Sequence, residues 1–337
     1  MAGGAIDLVV LDIGGTHARF ALASIASDGA ITLGEPETFK TSDFASLKTA
    51  WEAFERRREG RVPRDAAIAI AGPVTGETVQ MTNNSWVIHT GRIDDQLGLD
   101  RVTVLNDFGA VAHAVARADS SEFLHIAGPD APLPNEGTIS VIGPGTGLGV
   151  AQLWLDGAGG YHVQATEGGH VDFSPVDPID DAILARLRKR HRRVSVERVV
   201  SGPGIVEIYH TLAGVEGRSV PEQNDREIWE QGLARTDSLC MAAVERFCLS
   251  LGSAAGDFAL AHGARAVVIA GGLGYRIRDT LPLSGFADRF RFKGRYEQMM
   301  AGLPVKLITH PQPGLFGAAA AFEREHLHRV DRSGERP

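Results

Sequence analysis

Twice in this chain an apolar run breaks at a glycine turn and a second apolar run follows directly behind it. Leu8–Leu11 and Arg19–Leu22 flank Asp12-Ile-Gly-Gly-Thr-His17, and Ile139–Ile142 and Val150–Trp154 flank Gly143-Pro-Gly-Thr-Gly-Leu-Gly149. Each reads as strand, tight turn, strand, with glycine supplying the turn. A length of 337 residues suggests roughly two domains, and Gly14 and Gly145 lie 131 residues apart, close to a domain length, a first sign of an old duplication. Glycine totals 40, about 12% of the chain against a usual 7% or so, and the surplus of roughly 16 needs a reason.

The rest of the pattern alternates between the two element types. Phe44, Leu47, Trp51 and Phe54 recur at helical spacing until Gly60. Ala66–Ile70 is a buried strand ending at Gly72-Pro73, and Val102–Leu105 another, ending in Asn106-Asp107 before a helix with Val111, Ala114 and Val115. In the second half come a helix over Ile179–Leu187 and one long helical region from about Asp225 to His262. Strand Ala266–Ile269 then runs into Gly271-Gly272-Leu-Gly274, and strand Val305–Ile308 precedes a helix from Gly314 to about His326. The polar tail from Val330 reads as frayed.

Several classes of function fall away. The net charge of −8 and a pI near 5.8 argue against a protein that mainly holds nucleic acid. No uninterrupted run approaches the roughly 18 apolar residues of a membrane helix, and Met1–Gly15 has no basic residue, unlike a signal peptide. Cys240 and Cys248 would lie about 12 Å apart along a helix, beyond the roughly 7 Å a disulfide spans. Two free thiols packed in a core suit a cytoplasmic protein. Asp107-Phe108-Gly109 lacks the other protein-kinase segments, no Walker lysine is present, and the second glycine run does not fit the dinucleotide fingerprint. The basic run Arg186–Arg193 reads as the solvated face of a surface helix.

The glycine turns carry chemistry of their own. A hairpin of glycines directs backbone N–H groups into one concavity that suits phosphate oxygens. Thr16 adds a hydroxyl, and Asp12 at the strand end could hold Mg²⁺ through its waters. Taken alone, the turn is equally an ordinary hairpin. A second cradle at Gly145-Thr146-Gly147 and a glycine platform at Gly271-Gly272, flat enough for a purine or ribose, together favour a nucleotide.

With these motifs in order, the chain resembles bacterial glucokinases of the enterobacterial type, within the actin and hexokinase superfamily. The resemblance is carried by LDIGGTHARFALA at Leu11–Ala23, AGPVTGETVQMTNNSW at Ala71–Trp86, LNDFGAVAHAV at Leu105–Val115 and GPGTGLGVA at Gly143–Ala151. It continues in EGGHVDFSP at Glu167–Pro175, SVERVVSGPGIVEIY at Ser195–Tyr209, IAGGL at Ile269–Leu273 and PGLFGAA at Pro313–Ala319. Seventeen of the 40 glycines sit in these segments, which accounts for the surplus.

The resemblance implies two α/β domains of the ribonuclease H-like kind, with the active site in the cleft between them. The smaller would hold residues 1–118 and 312–330, the larger 119–311, leaving 331–337 as the tail. It implies transfer of a phosphoryl group from ATP, with Mg²⁺, to the 6-hydroxyl of glucose, in a homodimer bound to neither nucleic acid nor membrane. Asp12, Ile13, Gly14, Gly15, Thr16, Gly145, Thr146 and Gly147 would hold the phosphates, and Gly271 and Gly272 the adenosine. Asp107 would be the catalytic base; without the resemblance, the Asn106-Asp107 pair reads more readily as a helix N-cap. Asn106, Asp107, Glu167, His170 and Glu197 would meet the sugar. Glu197 otherwise reads as an acidic residue near the start of a helix opened by Ser195. His170 is followed by Val171–Pro175, without the cysteines of the related zinc-binding ROK kinases, so no structural zinc is expected. Arg19 has no role in this reading. The same fold could serve another hexose or an N-acyl sugar. A sugar-responsive repressor would need a DNA-binding helix pair ahead of Asp12, where there is no room.

Overall fold

The computed structural model describes residues 4–74, 76–81 and 84–327. Thr75, Thr82 and Asn83 of the Ala71–Trp86 segment, and the tail from Val330, lie outside the described residues. The chain forms two units, one from residues up to Ala118 together with the stretch from His310, the other from Asp119–Thr309.

The first unit contains strands β1 (Ile6–Ile13), β2 (His17–Ile25), β3 (Ile31–Leu33), β4 (Glu37–Lys40), β5 (Asp65–Ile70), β6 (Thr78–Gln80), β7 (Val87–His89) and β8 (Arg101–Asn106). Its main sheet runs β3-β2-β1-β5-β8, with β4 also on β2, while β6 and β7 pair separately. β1 is antiparallel to β2, and β1, β5 and β8 are parallel. Both faces of β1 are covered, which explains its unbroken apolar run. Val9, Leu11 and Ile13 pack with Phe20, Phe39, Trp51 and Phe54 on one face. Leu8 and Val10 pack with Leu315, Ala318 and Phe322 of the Pro313–His326 helix on the other. Gly317 of that helix lies where any Cβ would collide with the Ala110 carbonyl, so it crosses the Asp107–Arg117 helix at close range.

The second unit contains β9 (Phe123–Ala127), β10 (Glu136–Pro144), β11 (Leu148–Asp156), β12 (Tyr161–Thr166), β13 (Ala264–Ile269) and β14 (Val305–Ile308). Its sheet runs β12-β11-β10-β13-β14-β9. β10 is antiparallel to β11 and parallel to β13, and β13 is parallel to β14. An antiparallel hairpin whose first strand is joined by two parallel strands thus occurs in both units, as the repeated glycine turn suggests.

Four details depart from the sequence reading. Phe44 lies outside its helix, which starts at Leu47 behind the Ser46 cap. The 225–262 region is two helices, Asp225–Leu233 and Ser238–His262, broken where Arg235 takes a positive φ of 58°. Ser195 opens only the short 3₁₀ turn Val196–Arg198, and its side chain makes no capping bond. The Ser238–His262 helix is, by length and hydropathy, able to cross a membrane, which a scan for uninterrupted apolar runs passes over. In this structure 72% of its most apolar stretch is buried, and it is the core helix of the second unit. Cys240 and Cys248 on it are buried free thiols, each pushed up to about 12 by burial.

Candidate active site

In the first unit, three parallel strands end side by side. Ile13 of β1 pairs with Ile70 of β5, and Ile70 pairs with Asn106 of β8. The Gly14–Thr16 turn, Gly72 and the Asn106-Asp107 pair therefore share the carboxyl edge of one sheet, where α/β folds place ligands. In the turn, the Gly14 N–H donates to the His17 carbonyl at 2.9 Å. The carbonyls of Gly15 and Thr16 accept from the hydroxyl (2.9 Å) and N–H (3.0 Å) of Thr41. Among the described residues, the N–H groups of Gly15 and Thr16 make no hydrogen bond within the chain, which leaves two donors for an anion.

Asp12 precedes this turn. The hairpin register sets it opposite Arg19, whose Nη1 donates to Asp12 Oδ2 at 3.1 Å. Burial pushes the Asp12 carboxyl up from its usual range, and the Arg19 charge opposes the shift. A Cβ at Gly314, in the first turn of the Pro313–His326 helix, would lie 3.0 Å from the same carboxylate oxygen, so the glycine makes room for it. Mg²⁺ keeps most of its water and needs few protein oxygens. One carboxylate, its side chain 22% exposed beside two phosphate-type donors, fits that demand. Among the described residues, no cluster of three or more His, Cys, Asp or Glu gathers into a protein-only metal cage.

The Asn106-Asp107 pair divides its duties. Asn106 is the N-cap of the Asp107–Arg117 helix: its Oδ1 accepts the N–H groups of Phe108 and Gly109, both at 2.9 Å. Its Nδ2 donates to the Gly72 carbonyl at 3.0 Å, where Gly72 holds a φ of +119° that favours glycine. The oxygen of Asn106 is thus committed to the helix, so the expected sugar contact is confined to the remaining amide hydrogen. Asp107 is the first helical residue, half-buried, and one of its oxygens accepts the Phe108 N–H at 2.8 Å.

In the second unit the Gly145–Gly147 turn repeats the first. The Gly145 N–H donates to the Gly147 carbonyl at 2.8 Å, and among the described residues the N–H groups of Thr146 and Gly147 make no hydrogen bond within the chain. Around this turn the structure brings Glu167, His170 and Glu197 together. Glu197, on the Val196–Arg198 turn, accepts the Leu148 N–H at 2.9 Å. Glu167 precedes the Gly168–His170 turn and His170 ends it, their side chains more than half exposed, with Nε2 and Oε2 3.9 Å apart. Gly169 of that turn presses on the Leu148 carbonyl with no room for a Cβ. The two segments are tied by the Val196 N–H, which donates to the Val171 carbonyl at 2.9 Å.

Gly271-Gly272 differs from the flat platform read in the sequence. The pair forms the first turn of the short Gly271–Arg276 helix. Gly271 has a φ of +80°, and a Cβ there would lie 2.8 Å from the Pro144 carbonyl. Only Gly272 faces open space. Arg19, which the sequence left without a role, is set opposite Asp12 by the hairpin register, in which Ile13 pairs with Ala18.

Comparison with known proteins adds the family to this geometry. The glucokinase family model matches residues 9–325. The chain is 54% identical over 321 residues to the glucokinase of Zymomonas mobilis, covering 95% of this chain and 99% of that protein. It superposes with a TM-score of 0.81 on a glucokinase from an Antarctic psychrotroph, 36% identical, covering 94% of this chain and 99% of the other. A glucokinase of Balamuthia mandrillaris solved with glucose shares the fold at a TM-score of 0.77 and 22% identity, covering 95% and 94% of the two chains. The match runs through both units and through every glycine turn described above, and on that ground the chain belongs to the glucokinase family.

Proposed function

We propose that this chain is an ATP:D-glucose 6-phosphotransferase in which Asp107 takes the proton of the sugar 6-hydroxyl as that oxygen attacks the γ-phosphorus. The bond from the γ-phosphorus to the bridging oxygen breaks, ADP leaves with the electron pair, and glucose 6-phosphate forms. One observation carries this most directly: Asp107 is fixed by a capped helix start at the same sheet edge as the Gly14–Thr16 turn. Phosphoryl transfer asks a protein mainly for position and charge stabilisation, with little covalent work.

The N–H groups of Gly15, Thr16, Thr146 and Gly147 then hold phosphate oxygens, while Ile13 and Gly14, Gly145 and the Gly271-Gly272 turn shape the nucleotide's seat. Mg²⁺ bound through its waters at Asp12 would offset phosphate charge. Glu167, Glu197 and His170 receive sugar hydroxyls, with the remaining amide hydrogen of Asn106. His170 has no zinc role in this reading, and Val171–Pro175 supply no cysteine ligands. A cytoplasmic homodimer is part of the same reading: the resemblance supports the dimer, and the two free thiols suit the compartment.

Replacing Asp107 with Ala should lower kcat at least about a hundredfold, the low end for loss of a general base. Glucose binding, measured by calorimetry, should persist. Turnover near that of the unaltered enzyme would remove Asp107 as the base. The coupled assay run over glucose, mannose, fructose, galactose and N-acetylglucosamine should show glucose with the highest kcat/KM; another sugar in first place would overturn the substrate.

A further inference from the structure

The carboxylate of Glu197 stands in two sites at once. Its turn belongs to the segment assigned to the sugar, yet its Oε2 accepts the N–H of Leu148, the residue directly after the Gly145–Gly147 turn. Gly147 fits there only because it has no side chain: a Cβ would fall 2.5 Å from Oε2 and 3.2 Å from Cδ of Glu197. The same segment grips the turn again at Gly202, whose N–H donates to the Gly145 carbonyl at 2.7 Å. Gly202 is in turn held by the Trp229 indole, which donates to its carbonyl at 3.0 Å. The other sugar segment touches the same peptide, with Gly169 packed against the Leu148 carbonyl. The start of β11 is therefore enclosed by both sugar-side turns.

We infer that Glu197 is a positioning residue for the phosphate turn as well as a sugar contact, so that one carboxylate couples the sugar and nucleotide subsites. The inference rests on the proposed reading of both subsites and adds the link between them. A carboxylate has two oxygens and about four acceptor positions, so Oε2 can keep Leu148 while Oε1 meets a hydroxyl. A hydrogen bond to an ionised acceptor is roughly twice as strong as a neutral one, so Leu148 and the turn before it follow the carboxylate. Sugar hydroxyls that orient the carboxylate thereby set the turn. Because coupling between binding sites is reciprocal, nucleotide and sugar must change each other's affinity by the same factor.

The test measures each ligand without the other, by calorimetry on the full-length protein. Glu197→Ala should weaken ADP binding in the absence of sugar about fivefold or more, the lower end of typical site coupling. Glu197→Gln, whose amide oxygen still accepts the Leu148 N–H, should restore most of the ADP affinity while weakening glucose. Gly147→Ala, a change in the nucleotide turn whose Cβ would press on the Glu197 carboxylate, should weaken glucose with no nucleotide present. Unchanged ADP affinity in Glu197→Ala, or unchanged glucose affinity in Gly147→Ala, overturns the coupling. Unchanged glucose affinity in both Glu197 variants instead removes Glu197 from the sugar, and the underlying reading of that residue fails with it. Should Glu197→Ala lose its fold, as its thermal unfolding would show, the Gln and Gly147→Ala arms decide the matter.

Discussion

At the scale of single residues, the Asn106-Asp107 pair shows how a structural and a chemical role can share one dipeptide. Spacing alone left a helix cap and a catalytic pair as competing readings; the structure gives the cap to Asn106 and leaves the carboxylate to Asp107. Asn106→Ala should therefore cost stability, typically about 1 kcal/mol for a lost cap. It should also lower kcat more than it raises the glucose KM, because the base loses its anchor. Asn106→Asp keeps the cap and should regain most of the stability, but it cannot donate to Gly72. Urea denaturation and steady-state kinetics on both variants check this, and wild-type stability in Asn106→Ala would refute the capping role. Arg19 teaches the opposite lesson. Its partner Asp12 was in view, but the pairing depends on hairpin register, which apolar periodicity does not encode.

At the scale of elements, long apolar periodicities were readable and their interruptions were not. The break between Leu233 and Ser238 falls inside a continuous helical pattern. Its signals are Asp237, which accepts the Cys240 N–H at 2.8 Å as an N-cap, and Arg235 in the left-handed region. Gly271-Gly272 was legible as a backbone constraint but not as a helix start, because its need for glycine comes from packing against Pro144, far away in sequence. Charge also locks elements together in ways no local pattern shows. Arg246 and Arg289, from the Ser238–His262 and Phe286–Arg291 helices, both grip Asp177 and Asp180 at the start of the Pro178–Arg188 helix. Asp180 is only 3% exposed. Burial pushes the Asp177 carboxyl up, but Arg246, the Asp180 N–H and the two guanidinium charges outweigh it and hold it below the usual 3.8. A depressed carboxylate contributes stability above its unfolded value, and that stability is lost as pH falls through the lower folded value. Arg289→Met should cost stability near pH 7, toward the low end of the roughly 3–5 kcal/mol for breaking a buried pair, since Arg246 still faces both carboxylates. The difference from wild type should shrink as pH drops below 3.8 and through the lower folded value of Asp177, as that carboxyl takes up its proton. Urea denaturation between about pH 7 and pH 3 reads it, and a difference that stays constant across the range would count against the network.

At the scale of the whole molecule, the repeated turn was the most informative feature, because strand, turn and strand are contiguous and need no long-range contact to be read. Both copies use the first glycine's N–H to close the turn and leave the next two N–H groups for a ligand, so the repeat extends from topology to chemistry. What spacing could not supply was membership: β9 joins the edge of the second sheet antiparallel to β14, and the Pro313–His326 helix packs on β1, some three hundred residues earlier. That helix completes the core of the first unit with Leu315, Ala318 and Phe322, whose side chains are 0–1% exposed. The second unit's core is a separate set of residues built around the Ser238–His262 helix. Phe322→Ala should therefore remove about 3–5 kcal/mol, the usual cost of deleting a buried phenyl ring, from the first unit alone. Trp51 and Trp86 report on that unit and Trp229 on the other, each at most 2% exposed. In single-tryptophan variants, the denaturation midpoint seen by Trp51 or Trp86 should fall to lower urea while the midpoint seen by Trp229 stays in place. If both midpoints fell by the same amount, the two cores would be unfolding as one cooperative body and the cost could not be assigned to the first unit.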